Sequence, residues 1–133
     1  MQMVKATHES PPAREPTLRT IAMPADANAR GDIFGGWILA QMDLAGGSAA
    51  MRRAQGRVAT VGIASMSFVR PVFVGDEISA YTTVTKVGHT SITVAIEVWA
   101  RRLASEETVK VTEGIFTYVA IDADRKPRPV PAG

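Results

Sequence analysis

The chain has 133 residues, 46% of them hydrophobic, which is enough apolar material for the core of a single domain. Its formal net charge of +2 falls short of a nucleic-acid-binding footprint, and no apolar run is long enough to cross a membrane. The absence of cysteine excludes disulfides, thiol catalysis and thiolate metal sites, and with only two histidines we expect no metal site.

Residues 1–16 predict a disordered tail, because three prolines and several charged side chains interrupt the few apolar positions. This stretch has no apolar segment like that of a signal peptide, so we expect a cytoplasmic protein. Residues 17–23 alternate partly between polar and apolar side chains and predict a first strand. Residues 24–31 predict a loop by their Pro, Asp, Asn and Gly content.

Residues 37–53 predict one long helix, because this run exceeds a typical strand and is rich in Ala, Leu, Met and Gln. It ends at Arg52 and Arg53, which suit the negative end of a helix dipole. Its apolar side chains do not keep to one stripe, so we expect burial on more than one side. Gly46 and Gly47 each cost about 1 kcal/mol relative to Ala, which indicates that another backbone, or a ligand, comes close.

Asp43 is the only ionisable side chain between Ile33 and Met51, and burying an unpaired charge is costly. Two explanations remain open: the carboxylate points to a wet edge or pairs with an arginine, or it is a functional group. Gly35 and Gly36 favour the second, because backbone N–H groups at a helix start can hold a carbonyl oxygen as it gains negative charge. Gly36 precedes Asp43 by two helical turns, so both lie on roughly one face. These are the parts needed for acyl transfer to water.

After Gly56 the hydrophobic period becomes strand-like, and short turns separate four predicted strands, at residues 58–69, 78–87, 91–103 and 108–121. A basic, proline-rich tail follows at 122–133. The predicted fold class is α+β: a domain at 17–121 in which five antiparallel strands, successive ones paired as a meander, wrap one helix. Because one sheet covers only one side of that helix, we expect a homo-oligomer.

The segment AMPADANARGDIFGGWILAQMD, residues 22–43, resembles the opening of the hotdog-fold acyl-CoA thioesterases, especially the small bacterial YciA-type enzymes. The resemblance covers residues 18–121 and continues through GRVATV at 56–61, SMSFVRP at 65–71, VGD at 74–76 and KVGHTSI at 86–92. It implies a hotdog fold, a helix wrapped by a five-stranded sheet, in dimers that often assemble further into hexamers.

The same resemblance implies hydrolysis of acyl-CoA to free acid and coenzyme A, with Asp43 as general base on a water or as nucleophile through a mixed anhydride. Asn28 would reach the site from the opposite subunit, and the backbone N–H of Gly36 or Gly35 would polarise the thioester carbonyl. Thr60 is a lesser candidate. Coenzyme A is part of the substrate and product, so no cofactor is implied.

The turn at residues 86–91 resembles the segment that meets the coenzyme A phosphates. The substrate-binding positions implied in this way are Gly35, Trp37, Arg57, Thr60, Lys86, Gly88, His89, Thr90 and Ser91. Each has a simpler explanation: Asn28 shapes a loop, Thr60 is an ordinary strand residue, and the basic side chains are solvated.

Other functions remain possible within the same fold. Hotdog hydratases that act on acyl thioesters usually pair the acid with a histidine, and the sequence has none near Asp43. A non-catalytic acyl-CoA-binding or scaffold protein is the alternative from another class. No serine lies in a Gly-x-Ser-x-Gly context, so serine-hydrolase chemistry is not indicated.

Overall fold

The computed structural model describes residues 9–133, so the first eight residues of the predicted tail lie outside the described residues. The elements in chain order are β1 (Leu18–Ile21), α1 (Gly35–Ala54), β2 (Val58–Phe68), β3 (Glu77–Val87), β4 (Ser91–Arg101) and β5 (Thr108–Ala120), with a short 3-10 turn at Pro24–Asp26. The predicted α+β class is confirmed: one long helix packs against a five-stranded antiparallel sheet.

Helix α1 begins two residues earlier than predicted and ends one residue later. Phe34 precedes it in an extended conformation, and Gln55 ends it in the left-handed region at φ 55°, where its N–H donates to Met51 O. The helix buries one stripe, made of Ile38, Met42, Ala45, Gly46, Ala50 and Ala54. Within the single chain the expected burial on a second side is absent from the described residues, because Leu44 stays 62% exposed and Met51 47%.

The strand order is β1-β3-β4-β5-β2, so the predicted meander is correct only for β3, β4 and β5. β2 pairs with β5 instead of β3, which corrects the expectation that successive strands are neighbours. Residues 69–76 form a long crossing and not a hairpin turn: Val69 N donates to Val111 O and Ile33 N donates to Val72 O. β2 therefore becomes an edge strand and most of it is exposed.

The core lies between α1 and one face of the sheet. On β4 the predicted alternation holds, with Ile92, Val94, Ile96 and Val98 almost fully buried. The largest side chains that are less than 2% exposed are Tyr118 and Phe116 of β5, whose rings stack with centroids 6.4 Å apart.

Both ends of the described chain contact the sheet. Residues 9–16 run along its outer face, where the Arg14 guanidinium lies 5.6 Å above the Tyr81 ring. The segment at 122–133 folds back toward the β3–β4 turn, where Val130 N donates to His89 O at 2.8 Å. Arg53 at the end of α1 donates to Pro131 O at 2.7 Å.

A buried ion pair ties the β2–β3 crossing to the β4–β5 turn. Asp76 is 2% exposed, and its Oδ2 accepts from Arg102 Nη1 at 2.5 Å and from Phe73 N at 2.9 Å. Arg102 also donates to Pro71 O, and its guanidinium lies 4.8 Å from the centre of the Phe73 ring. The carboxylate and the guanidinium thus compensate each other's burial.

Candidate active site

The Asp43 carboxylate is half-buried and is held by hydroxyl groups. Thr60 Oγ1 donates to Asp43 Oδ1 at 2.8 Å, and Tyr118 OH lies 3.0 Å from the same oxygen. None of the ion pairs among residues 9–133 includes Asp43. Of the simpler explanations, pairing with an arginine is therefore not observed in the described part of the chain.

Two neighbouring strands deliver these hydroxyls. Thr60 near the start of β2 is the register partner of Tyr118 near the end of β5, and Tyr118 is in turn the partner of Ile92 at the start of β4. The row runs across the sheet beneath the middle of α1, where Asp43 lies. The site thus depends on the β2–β5 pairing that the sequence did not predict.

Gly46 gives Tyr118 the room that it needs. A Cβ atom at Gly46 would overlap the Tyr118 hydroxyl oxygen and would lie 2.6 Å from Ile96 Cδ1. A Cβ atom at Gly47 would meet only Tyr118 Cε2, at 3.8 Å, an ordinary van der Waals contact. The close approach expected at this glycine pair is therefore found at Gly46, and the approaching group is a tyrosine side chain.

Tyr118 itself was not predicted as a site residue. It is 1% exposed, and burial, followed by the charge of Asp43 and the hydrogen bond to it, raises the pKa of its phenol far above the ordinary value. The group therefore remains a protonated donor at any ordinary working pH. A buried tyrosine usually needs a partner for its hydroxyl. A tyrosine within the apolar pattern of the last predicted strand was therefore the available signal in the sequence.

The start of helix α1 carries two glycines without side-chain obstruction. Gly35 and Gly36 are both exposed, and a Cβ atom at Gly36 would meet nothing within 4 Å. The first N–H groups of a helix have no intrahelical acceptor, so these donors can bind an oxygen. Gly36 and Asp43 are about 10 Å apart along the helix axis at 1.5 Å per residue.

Asn28 lies in the loop before α1 and shapes it. Its Oδ1 accepts from Arg30 N at 2.9 Å and from Asp32 N at 3.2 Å, an Asx-type turn. No hydrogen bond among the described residues joins Asn28 to Asp43 of the same chain. The structure thus shows the loop-shaping role directly and does not bring the two side chains together within one chain.

The predicted phosphate-binding residues gather at one end of the sheet. Gly88 N donates to Ser91 O at 2.8 Å to close the β3–β4 turn, and Thr90 O accepts from Ala120 N. Arg57 O accepts from Ile121 N, so Arg57 lies beside the same end of β5. The side chains of Lys86, His89 and Arg57 are exposed, whereas Trp37 is half-buried.

Asp43 has exposed residues near it in the single chain, among them Ala40, Leu44 and Thr60. Two cavities elsewhere contain no predicted site residue: one of about 370 Å³ beside Arg70 and Lys110, and one of about 480 Å³ beside Arg14 and Arg52. Among residues 9–133 there is no group of three or more His, Asp or Glu side chains that could hold a metal ion. No helix within that range is long and apolar enough to span a bilayer.

Comparison with known proteins agrees with this geometry. The family model of the thioesterase superfamily matches residues 30–105. The acyl-CoA thioester hydrolase YciA of Salmonella typhimurium is 52% identical over 128 residues, which are 94% of this chain and 96% of that protein.

Two solved structures share the fold closely. A hexameric thioesterase from Yersinia pestis superposes with a TM-score of 0.87 at 52% identity, over 92% of this chain and 99% of that one. A hexameric hotdog fold thioesterase of Campylobacter jejuni superposes with a TM-score of 0.85 at 45% identity, over 89% and 91%. The chain therefore belongs to the thioesterase superfamily, as a YciA-type member with the hotdog fold.

Proposed function

We propose that this chain is an acyl-CoA thioester hydrolase that releases free acid and coenzyme A. The observation that carries the proposal is the bonding of Asp43, a carboxylate held by two neutral hydroxyl donors on one oxygen. Among the described residues no donor is bonded to the second oxygen, Oδ2, so that oxygen is free to act on a water or a carbonyl. Relatives that are named acyl-CoA thioester hydrolases support the substrate class.

The chemistry follows from two groups on α1. The thioester carbonyl accepts a hydrogen bond from the N–H of Gly36 or Gly35, which stabilises the oxyanion as water or a carboxylate attacks. In the general-base route Asp43 takes a proton from water, a C–O bond forms, the C–S bond breaks and the thiolate is protonated. The general-base and nucleophile routes both place the carbonyl between the helix start and Asp43, which lie about 10 Å apart along the helix axis.

Coenzyme A is assigned to the end of the sheet where the β3–β4 turn lies. Lys86, His89 and Arg57 supply exposed cationic or protonatable groups there, and phosphate oxygens attract such groups. The row Thr60–Tyr118–Ile92 connects this end of the sheet with Asp43. The phosphates and the reacting carbonyl can thus be held along a single path.

A second copy of the chain completes the site in this proposal. Leu44, Val61 and Phe34 are apolar side chains 62%, 59% and 54% exposed, and β2 offers an unpaired edge. The related structures from Yersinia pestis and Campylobacter jejuni are described as hexameric. Asn28, which does not meet Asp43 within its own chain, is placed across this interface.

A thiol-release assay with short, medium and long acyl-CoA substrates tests the proposal. Wild-type protein should release coenzyme A from at least one chain length. Asp43→Asn should bind the same substrate, measured by calorimetry, yet turn it over at least about a hundredfold more slowly, within the usual range for a general base. Binding without turnover by the wild type would indicate a non-catalytic acyl-CoA-binding protein instead.

A further inference from the structure

We propose that Tyr118 is the positioning residue of the active site, which orients the Asp43 carboxylate from inside the protein. The proposal rests on the function given above and adds a residue to it. Tyr118 OH lies 3.0 Å from Asp43 Oδ1 and 3.2 Å from the backbone O of the same residue. One hydroxyl can therefore bond both the side chain and the backbone of Asp43, which restricts how the carboxylate can turn.

The two hydroxyl donors to Asp43 are not equivalent. Thr60 lies on the edge strand β2 and is exposed in the single chain, so the packing of its own chain does not fix its hydroxyl. Tyr118 is 1% exposed and stacks on Phe116 in the core, so its position is fixed by packing. A donor that loses little conformational freedom holds a catalytic group more firmly than a mobile one. Tyr118 thereby keeps Oδ1 occupied, while no donor among the described residues is bonded to Oδ2.

Gly46 is independent support for this role. A glycine inside a helix costs about 1 kcal/mol relative to Ala, yet Gly46 lies in the middle of α1. The hydroxyl oxygen of Tyr118 occupies the place that a Cβ atom would take. A Cβ atom there would also lie 2.6 Å from Ile96 Cδ1, so the missing side chain makes room both for the core and for the one oxygen that reaches Asp43.

The expected kinetic effect is on turnover and not on substrate binding. Tyr118 is 1% exposed, so we expect its hydroxyl to take no part in substrate binding. Loss of that hydroxyl removes a donor that fixes the orientation of the carboxylate. In Tyr118→Phe kcat should therefore fall while KM stays constant.

Tyr81→Phe is the matched control. Tyr81 is the only other tyrosine, is 4% exposed, and lies on β3 beneath Arg14, away from Asp43. We expect Tyr118→Phe to lower kcat about ten- to a hundredfold, the range for losing a hydrogen bond to a charged group. Tyr81→Phe should keep kcat within about twofold of wild type, because none of the hydrogen bonds to Asp43 involves Tyr81.

A second matched pair uses the two helix glycines. Gly46→Ala displaces the Tyr118 hydroxyl and should reproduce the loss of kcat, whereas Gly47→Ala meets only an ordinary contact and should retain activity. If Gly46→Ala does not fold, Tyr118→Phe alone tests the positioning role, because that substitution removes one oxygen and adds no volume.

The outcomes separate this inference from the proposed function. Wild-type kcat in Tyr118→Phe, beside an inactive Asp43→Asn, would overturn the positioning role and leave the proposed hydrolase function unchanged. A raised KM with unchanged kcat would also overturn it, since the hydroxyl would then serve substrate binding. Absence of hydrolysis by the wild type would overturn the proposed function itself.

Discussion

Asp43 and Asp76 are both carboxylates among apolar neighbours, and their bonding differs. Asp76 is buried, and its Oδ2 is bonded to the Arg102 guanidinium and to a backbone N–H. Asp43 is half-buried, and two neutral hydroxyls bind its Oδ1. A carboxylate neutralised by a cation serves the fold, whereas one held by neutral donors keeps its charge available for chemistry. The two sites should respond to substitution in opposite ways.

The largest expected effect is on stability at the ion pair. Asp76→Ala leaves Arg102 buried without its partner, and breaking such a pair costs about 3–5 kcal/mol. We expect a clear fall in Tm, measured by calorimetry at fixed protein concentration. Glu77→Ala is the control: its bridges to Arg19 and Arg101 are partly exposed and should contribute about 0–1 kcal/mol. Equal Tm losses in the two variants would show that the Asp76 pair is no more important than a surface bridge.

Asp43→Asn should give the reverse result. Asparagine keeps an oxygen that can accept from Thr60 and Tyr118, so Tm should remain within a few degrees of wild type, as for about 1 kcal/mol or less. Turnover should fall about a hundredfold or more, because the amide neither takes a proton nor attacks a carbonyl. A folded Asp43→Asn protein with near-normal kcat would rule out both proposed roles.

Only part of the contrast between these aspartates could be predicted from the sequence. Asp43 was found because it is the lone charge in an apolar helix, and α1 and all five strands were predicted from hydrophobic period. Of the partners of the two aspartates, Thr60 was named only as a lesser candidate through the family resemblance. Tyr118 and Arg102 were not found, because Tyr118 lies 75 residues from Asp43 and Arg102 lies 26 residues from Asp76.

Local patterns do not encode which strands become neighbours. The pairing of β2 with β5 brings Thr60 beside Tyr118, and it depends on the crossing at residues 69–76, whose backbone bonds go to distant segments. The role of Gly46 was likewise only partly predictable. Its helix position indicated a close approach, but identification of the approaching side chain required the register of the sheet.

A subunit-mixing experiment tests whether the open side of Asp43 is completed by another chain. Asn28→Ala and Asp43→Ala should each be poor enzymes. If each site takes Asn28 and Asp43 from different chains, random re-association should restore about a quarter of wild-type activity, since about half the dimers are mixed and each has one intact site.

Mass labels on one variant supply the control, because they show whether chains have exchanged. Full exchange without recovered activity would mean that Asn28 acts within its own subunit or only shapes its loop.

The smallest expected effect concerns the basic side chains. Arg102 serves the fold, as Asp76 does, whereas Lys86 and His89 are proposed to serve function, as Asp43 does. Arg102 is committed to Asp76, whereas Lys86 and His89 are exposed at the sheet end assigned to coenzyme A. Lys86→Ala combined with His89→Ala should raise KM about three- to tenfold, the range for one or two exposed charge contacts. The value of kcat should stay unchanged, because phosphate contacts are equally strong in the ground state and the transition state. The rise in KM should shrink in high salt, which screens exposed charges.

Lys110→Ala, which removes a cation beside Glu113 on another part of the sheet, is the control for lost positive charge. An unchanged KM in the double variant, or an equal rise in the control, would place the phosphates elsewhere.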